Sequence, residues 1–192
     1  MKKVLIFNAP PNAGKDISSE YVYQRIDGKH IEMKMPLHLM TARLLGMSIK
    51  EYLELYEDHK DAPNLMKLSQ LMNYWDNPTS YSVREFYIHL SENVMKPTFG
   101  RDVFGHYAGK NLVHGWNVFS DGGFNEEVKA LQEYTDKKNI IVVKIQRDGC
   151  NFENDSRGWI DDTLVGETIY MENNNGLDTW ERKLDELIGR IA

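Results

Sequence analysis

Hydrophobic positions fall into two rhythms along this chain. Val4-Leu5-Ile6-Phe7 is a wholly apolar run that ends at Asn8, as expected of a strand buried on both faces of a parallel sheet. His30 to Met35 and Trp116 to Ser120 read as further strands, and Ile140 to Ile145 is the clearest of all. A strand near Thr163 to Tyr170 completes the set. Between them the spacing is helical. Helices are expected from about Asp16 to Arg25, over Leu37 to Leu45 ending at Gly46, and over Leu65 to Met72. Ser48 with Glu51, and Ser82 with Glu85, form capping boxes that open two more helices, with Pro97 closing the second. Asp102 to Asn111 is predicted helical, as is a stretch through Val128, Leu131 and Tyr134. Asp178 and Glu181 cap a final helix whose apolar face carries Trp180, Leu184, Leu187, Ile188 and Ile191. Strands alternating with helices give an α/β fold, a three-layer parallel sheet with helical insertions between the second and third strands.

Composition narrows the class without changing that picture. The 192 residues are 41% hydrophobic and 27% charged, the balance of an ordinary globular protein of one domain. Cys150 is the single cysteine, so no intramolecular disulfide and no four-cysteine zinc site can form. The six histidines show no H-x-x-x-H pair. The first apolar run is too short for a signal-peptide core, and no run approaches a membrane span, so a cytoplasmic location is expected. A net charge of −6 argues against stable binding to nucleic acid; a polyanionic ligand must be met by a local cluster of positive charge.

One segment supplies such a cluster. Ala9-Pro10-Pro11-Asn12-Ala13-Gly14-Lys15-Asp16 lies between the first strand and the first helix and approximates G-x-x-x-x-G-K-[ST], the phosphate-binding loop. Successive N–H groups and a helix N-terminus form an anion nest, which points to Asn12, Ala13, Gly14, Lys15, Asp16 and Ile17 as phosphate-binding positions. Ala9 replaces the first glycine and Asp16 the hydroxyl residue. A carboxylate beside phosphates needs a cation between them, so Asp16 suits Mg²⁺, directly or through water, or orientation of the attacking group. In a plain surface turn it would only begin the helix. Asp121 ends the third strand, at the sheet edge where ligands gather, and is a second candidate for metal or proton handling; an ordinary Asp-Gly turn is the simpler alternative.

Arginines are few, eight in all, so their positions carry information. Arg84 falls in a first helical turn, where the dipole disfavours a cation unless an anion is to be bound. Arg101 and Arg43 are further candidates, against solvated loop and exposed helix positions. Arg147 follows the buried strand and so emerges at the ligand edge. Arg157 shares a polar segment with Asp155, Asp161 and Asp162, where an ion pair is the competing reading. Tyr81, Tyr87 and Trp75 suit base stacking or core.

In order along the chain, the segments resemble phage deoxynucleoside monophosphate kinases, within the wider phosphate-loop nucleoside monophosphate kinases. The likeness is carried by Ala9–Asp16, Lys34-Met35-Pro36-Leu37, Ser82-Val83-Arg84-Glu85, Gly100-Arg101-Asp102 and Ser120 to Glu127. It implies one kinase domain over 1–192, a helical substrate-binding insertion over about 37–112 and a lid-like segment over about 147–162. It also implies transfer of the γ-phosphoryl group of ATP to a deoxynucleoside monophosphate with Mg²⁺, and a possible homodimer. Lys15, Asp16, Asp121, Arg147 and Arg157 would be the catalytic group; Arg84, Arg101, His89, Tyr81 and Arg43 would hold the monophosphate; Asp16 and Asp121 would serve the metal. Two positions depart from the family pattern. Gly123 stands where an arginine is usual, and Ile88 where a base-reading glutamine is expected, with His89 beside it. A phosphate-loop kinase of another small acceptor, or a nucleotide-sensing module without turnover, are the alternatives.

Overall fold

The computed structural model describes residues 1–59, 82–153 and 155–191. Their contacts divide them into two compact units, one of Met1–Met33 with Asp102–Ala192 and one of Lys34–Arg101.

The first unit is an α/β structure around a five-stranded, all-parallel sheet. Its strands are β1 (Lys2–Asn8), β2 (Lys29–Ile31), β3 (Gly115–Phe119), β4 (Ile140–Gln146) and β5 (Glu167–Glu172), in the order β2-β3-β1-β4-β5. The wholly apolar Val4–Phe7 run thus occupies the centre, where β1 pairs with β3 on one side and β4 on the other. Alternate residues of each strand build the two faces. Leu5, Phe7, Val118, Val143, Ile145, Ile169 and Met171 pack on one face against α1 (Lys15–Arg25) and the C-terminal helix (Leu177–Ile191), which contributes Trp180, Leu184, Leu187 and Ile191. The complementary set, Val4, Ile6, Phe119, Ile140 and Val142, is fully buried on the other. Two further helices of this unit, Val103–Lys110 and Asn125–Leu131, meet with almost no gap. A Cβ at Gly105 would stand 2.4 Å from the Glu127 carbonyl oxygen and 2.8 Å from the Ala130 Cβ.

The second unit holds α2 (Met35–Leu44), α3 (Ile49–His59) and α4 (Val83–His89). Its centre is His38, 1% exposed. The His38 ring lies 4.8 Å from Tyr56, 5.2 Å from Tyr87 and 5.6 Å from Tyr52, centroid to centroid. Burial, with the nearby Lys34 charge second, pushes its imidazole pKa down to about 3.

Several boundaries differ from the periodicity, each for a local reason. β2 stops at Ile31, because the Met33 N–H is bonded to the Asp121 carboxylate and Pro36 suits the first turn of α2. Pro97 does not end its helix. A π-helical turn, Leu90–Met95, lets Lys96 N donate to Ser91 O; this widens the helix ahead of the proline ring, and the chain stays helical to Phe99, where Gly100 at φ 101° stops it. β5 begins at Glu167, since Asp161 caps a short 3₁₀ turn at Asp162–Leu164 by accepting from Thr163 N at 2.8 Å. The last helix starts at Leu177, with Gly176 O accepting from Thr179 and Trp180, so Asp178 lies inside its first turn and is not the cap. The helix expected through Tyr134 ends at Leu131. Both capping boxes form, at Ser48/Glu51 and Ser82/Glu85. The helix expected over Leu65 to Met72 lies outside the described residues.

Candidate functional site

β1 delivers the chain to the carboxyl edge of the sheet at its centre, and the loop from Ala9 to Gly14 turns it into α1. Gly14 makes the turn. It is the residue before the helix, at φ 95° and ψ 15°, and a Cβ there would meet Asn173 Nδ2 at 2.8 Å. Asn12 is also left-handed, at φ 64°. The first intrahelical bond runs from Ser18 N to Gly14 O at 3.0 Å, so the amides of Lys15, Asp16 and Ile17 belong to the unpaired first turn. An anion placed there meets N–H groups and the positive end of the helix dipole.

Two later strands brace this loop. Arg147, one residue past β4, donates to Asn12 O at 3.1 Å, and Asn173, one residue past β5, donates to Ala13 O at 3.0 Å. Behind it, Trp180 Nε1 donates to Ser18 Oγ at 3.0 Å, and that hydroxyl to Gly14 O at 2.7 Å. The loop is preorganised by hydrogen bonds from three elements.

Lys15 and Asp16 pair with each other, Nζ to Oδ2 at 2.7 Å, the lysine side chain 12% exposed and the aspartate 70%. Asp121 follows β3 and accepts from Met33 N at 3.0 Å, which fixes one oxygen. Arg157 joins them electrostatically: its pKa is raised, first by hydrogen bonding to Asp155, against the opposing effect of burial, then by the charges of Asp155, Asp121 and Asp16. Its guanidinium takes Asp155 in a fork, Nε to Oδ1 at 2.9 Å and Nη2 to Oδ2 at 2.5 Å. The ion pair that competes with an anion-binding role for Arg157 is therefore formed, yet in a mostly buried setting, with the two side chains 20% and 13% exposed.

The arrangement concentrates a lysine, two arginines and a helix N-terminus beside three carboxylates, Asp16, Asp121 and Asp155. Among the described residues no three histidine, cysteine or acidic side chains cluster closely enough to cage a metal. Mg²⁺ is commonly held by one or two carboxylates together with phosphate oxygens and water, a donor set that Asp16 and Asp121 fit.

The remaining expected residues lie in or beside the second unit. Arg84 opens α4, Arg43 ends α2 and Arg101 follows Gly100; all three are exposed. His89 receives or donates a 2.9 Å hydrogen bond with Asn93. Ile88 is 47% exposed. Tyr81 and Trp75 lie outside the described residues. Two participants escaped the sequence reading, Asn8 and Asn173, while Asp155 is the ion-pair partner that the reading named beside Asp161 and Asp162. Asn8 and Asn173 stand at the ends of β1 and β5, a position that by itself marks ligand-side residues in parallel sheets.

No family model matches the chain, and no curated protein matches it. Among solved structures, it is similar to a gluconokinase from Sinorhizobium meliloti 1021, at 10% sequence identity and a TM-score of 0.45, over 100% of this chain and 94% of that one.

Proposed function

We propose that this protein transfers the γ-phosphoryl group of ATP to a small acceptor, a deoxynucleoside 5′-monophosphate, with Mg²⁺ as the metal. The observation that carries the reading is the loop after the central strand, with left-handed Gly14 leading Lys15 into α1, and Asp16, Asp121 and Arg157 interacting beside it. Phosphoryl transfer asks little covalent chemistry of a protein; it asks that charge be met and that donor and acceptor be held in line.

Each residue then has a defined part. The amides of α1's first turn and Lys15 take the phosphates, and Lys15 exchanges Asp16 for phosphate oxygen as nucleotide enters. Asp16 and Asp121 would hold the metal, whose charge would offset that of the phosphates. Arg147 fixes the loop through Asn12 O and Arg157 meets the moving phosphoryl. A phosphate oxygen of the acceptor is already a competent nucleophile, so no strong base is needed. We assign the acceptor's phosphate to Arg84, with Arg101, Arg43, His89 and Tyr81 supporting recognition. Ile88 has no donor or acceptor to offer the base, so base preference is read from the acceptor panel.

A coupled ADP-release assay with ATP, Mg²⁺ and each deoxynucleoside monophosphate tests the reading. Turnover is expected with at least one acceptor, falling about a hundredfold or more in Lys15→Ala. ADP release that is flat across every acceptor overturns it.

A further inference from the structure

Gly123 is filled by a neighbour. A Cβ built there would lie 2.8 Å from Arg157 Cβ and 2.9 Å from both its Cγ and Cδ, so the whole aliphatic stem of Arg157 crosses the space a side chain would take. The backbones are joined as well, Gly158 N donating to Gly123 O at 3.2 Å. At the far end of the stem, Asp155 occupies two of the five guanidinium N–H groups and leaves the others for a ligand.

The segment is also tied to β1. Asn8, the last residue of that strand, is fully buried. Its Nδ2 donates to Gly158 O at 3.0 Å and Gly122 O at 3.4 Å, and its Oδ1 accepts from Ile160 N at 2.9 Å. One carboxamide thereby spends both donors and its acceptor on the turn after β3 and on the chain on either side of Trp159. The same strand enters the phosphate loop one residue later.

We infer that Arg157 is a preset anion-binding group rather than one delivered by a closing lid: Gly123 seats its stem, Asp155 orients its guanidinium, and Asn8 locks its segment to the strand that carries the phosphate loop. Gly123, Asp155 and Asn8 are positioning residues. The inference rests on the proposed phosphoryl transfer for its consequence, though not for the seat itself. It also accounts for the small residue at 123: any side chain there would displace the arginine.

Two measurements test it. In nucleotide-free protein, the amides of Gly158 and Ile160 are expected to exchange with solvent at least about a hundredfold more slowly than in an open chain. Rapid exchange at both overturns the inference, whatever the activity. In the acceptor assay, Asp155→Asn is expected to lower kcat about tenfold with the ATP KM changed less than about twofold, because positioning acts on the transition state. Guanidinium chloride at millimolar concentration is expected to restore part of the activity of Arg157→Ala, and to restore none once Asp155→Asn is added. An unchanged kcat in Asp155→Asn, or the same rescue with and without Asp155, overturns it. A wild-type protein that releases no ADP with any acceptor, yet protects both amides, rejects the proposed function and leaves the seat standing.

Discussion

The buried imidazole of the second unit makes stability fall in mild acid, and the size of the fall follows from its environment. His38 is 1% exposed among three tyrosines, with its pKa pushed down to about 3 from an ordinary 6.5. A lowered pKa means that the folded state stays neutral while the unfolded chain takes up a proton, so stability is complete above about pH 6.5 and is lost as pH falls towards 3. At pH 5 the unfolded imidazole has gained about 1.5 pH units of protonation that the folded one has not, and at about 1.36 kcal/mol per unit the loss is about 2 kcal/mol. Urea unfolding followed by circular dichroism at pH 7, 6 and 5 measures it, with His38→Phe as the reference whose pH slope lacks this contribution. Proton NMR of the imidazole gives the titration directly. A His38 resonance that titrates between pH 6 and 7, or a slope identical in His38→Phe, refutes the reasoning.

Gly14→Ala is expected to abolish ATP binding measured by calorimetry and to destabilise the fold by about 1–2 kcal/mol, because the new methyl group both strains a left-handed backbone and meets Asn173. Gly105→Ala separates two helices at backbone contact and is expected to cost about 1–3 kcal/mol in urea unfolding, with no direct effect on nucleotide affinity. The Lys144–Asp162 pair, 2.6 Å long, is asymmetric: the lysine side chain is 8% exposed and the aspartate 49%. Asp162→Asn therefore leaves a buried ammonium short of a partner and is expected to lower stability by about 1–3 kcal/mol. Lys144→Met is expected to cost less, since Asp162 keeps water and the hydroxyls of Thr168 and Tyr170. Asp162 is held at about 2, first by Lys144, so its stabilising effect is present above the usual carboxylate range and is lost only as pH falls towards 2.

What was legible in the sequence was whatever local chemistry dictates. Four buried residues in a row announce β1, Gly14-Lys15 after a strand announces a tight turn into a helix, and Ser–x–x–Glu spacing places two helix starts to the residue. Most of what was not legible depends on partners distant in the chain. Nothing near Asn8 in the chain says that its amide will clasp residues 158 and 160, and Gly123 reads as a turn glycine until Arg157 is seen lying across it. The acidic neighbours of Arg157 announce its ion pair, but the near-burial of that pair comes from the fold. One strand end failed for the same reason, since Met33 has strand character in sequence yet its N–H is taken by Asp121; the other failed locally, because Asp161 caps Thr163 and curls the chain ahead of β5. Proline 97 misled because a π turn, which has no sequence signature of its own here, made room for it.

The central position of β1 bears on how the molecule comes into being. Val4 pairs with Asn117 and Ile140, so the strand made first waits for the chain to extend past residue 140 before both neighbours exist. Parallel pairing across such separations is slow, and until it happens Val4 to Phe7 is an uncovered, uncharged β-forming segment. During synthesis the second unit's helices can form from nearby residues while this run stays open to other chains. The lysines at positions 2 and 3, immediately before it, are then charged gatekeepers against aggregation in the interval, and the loop from Ala9 to Gly14 is among the last parts of the protein to take shape.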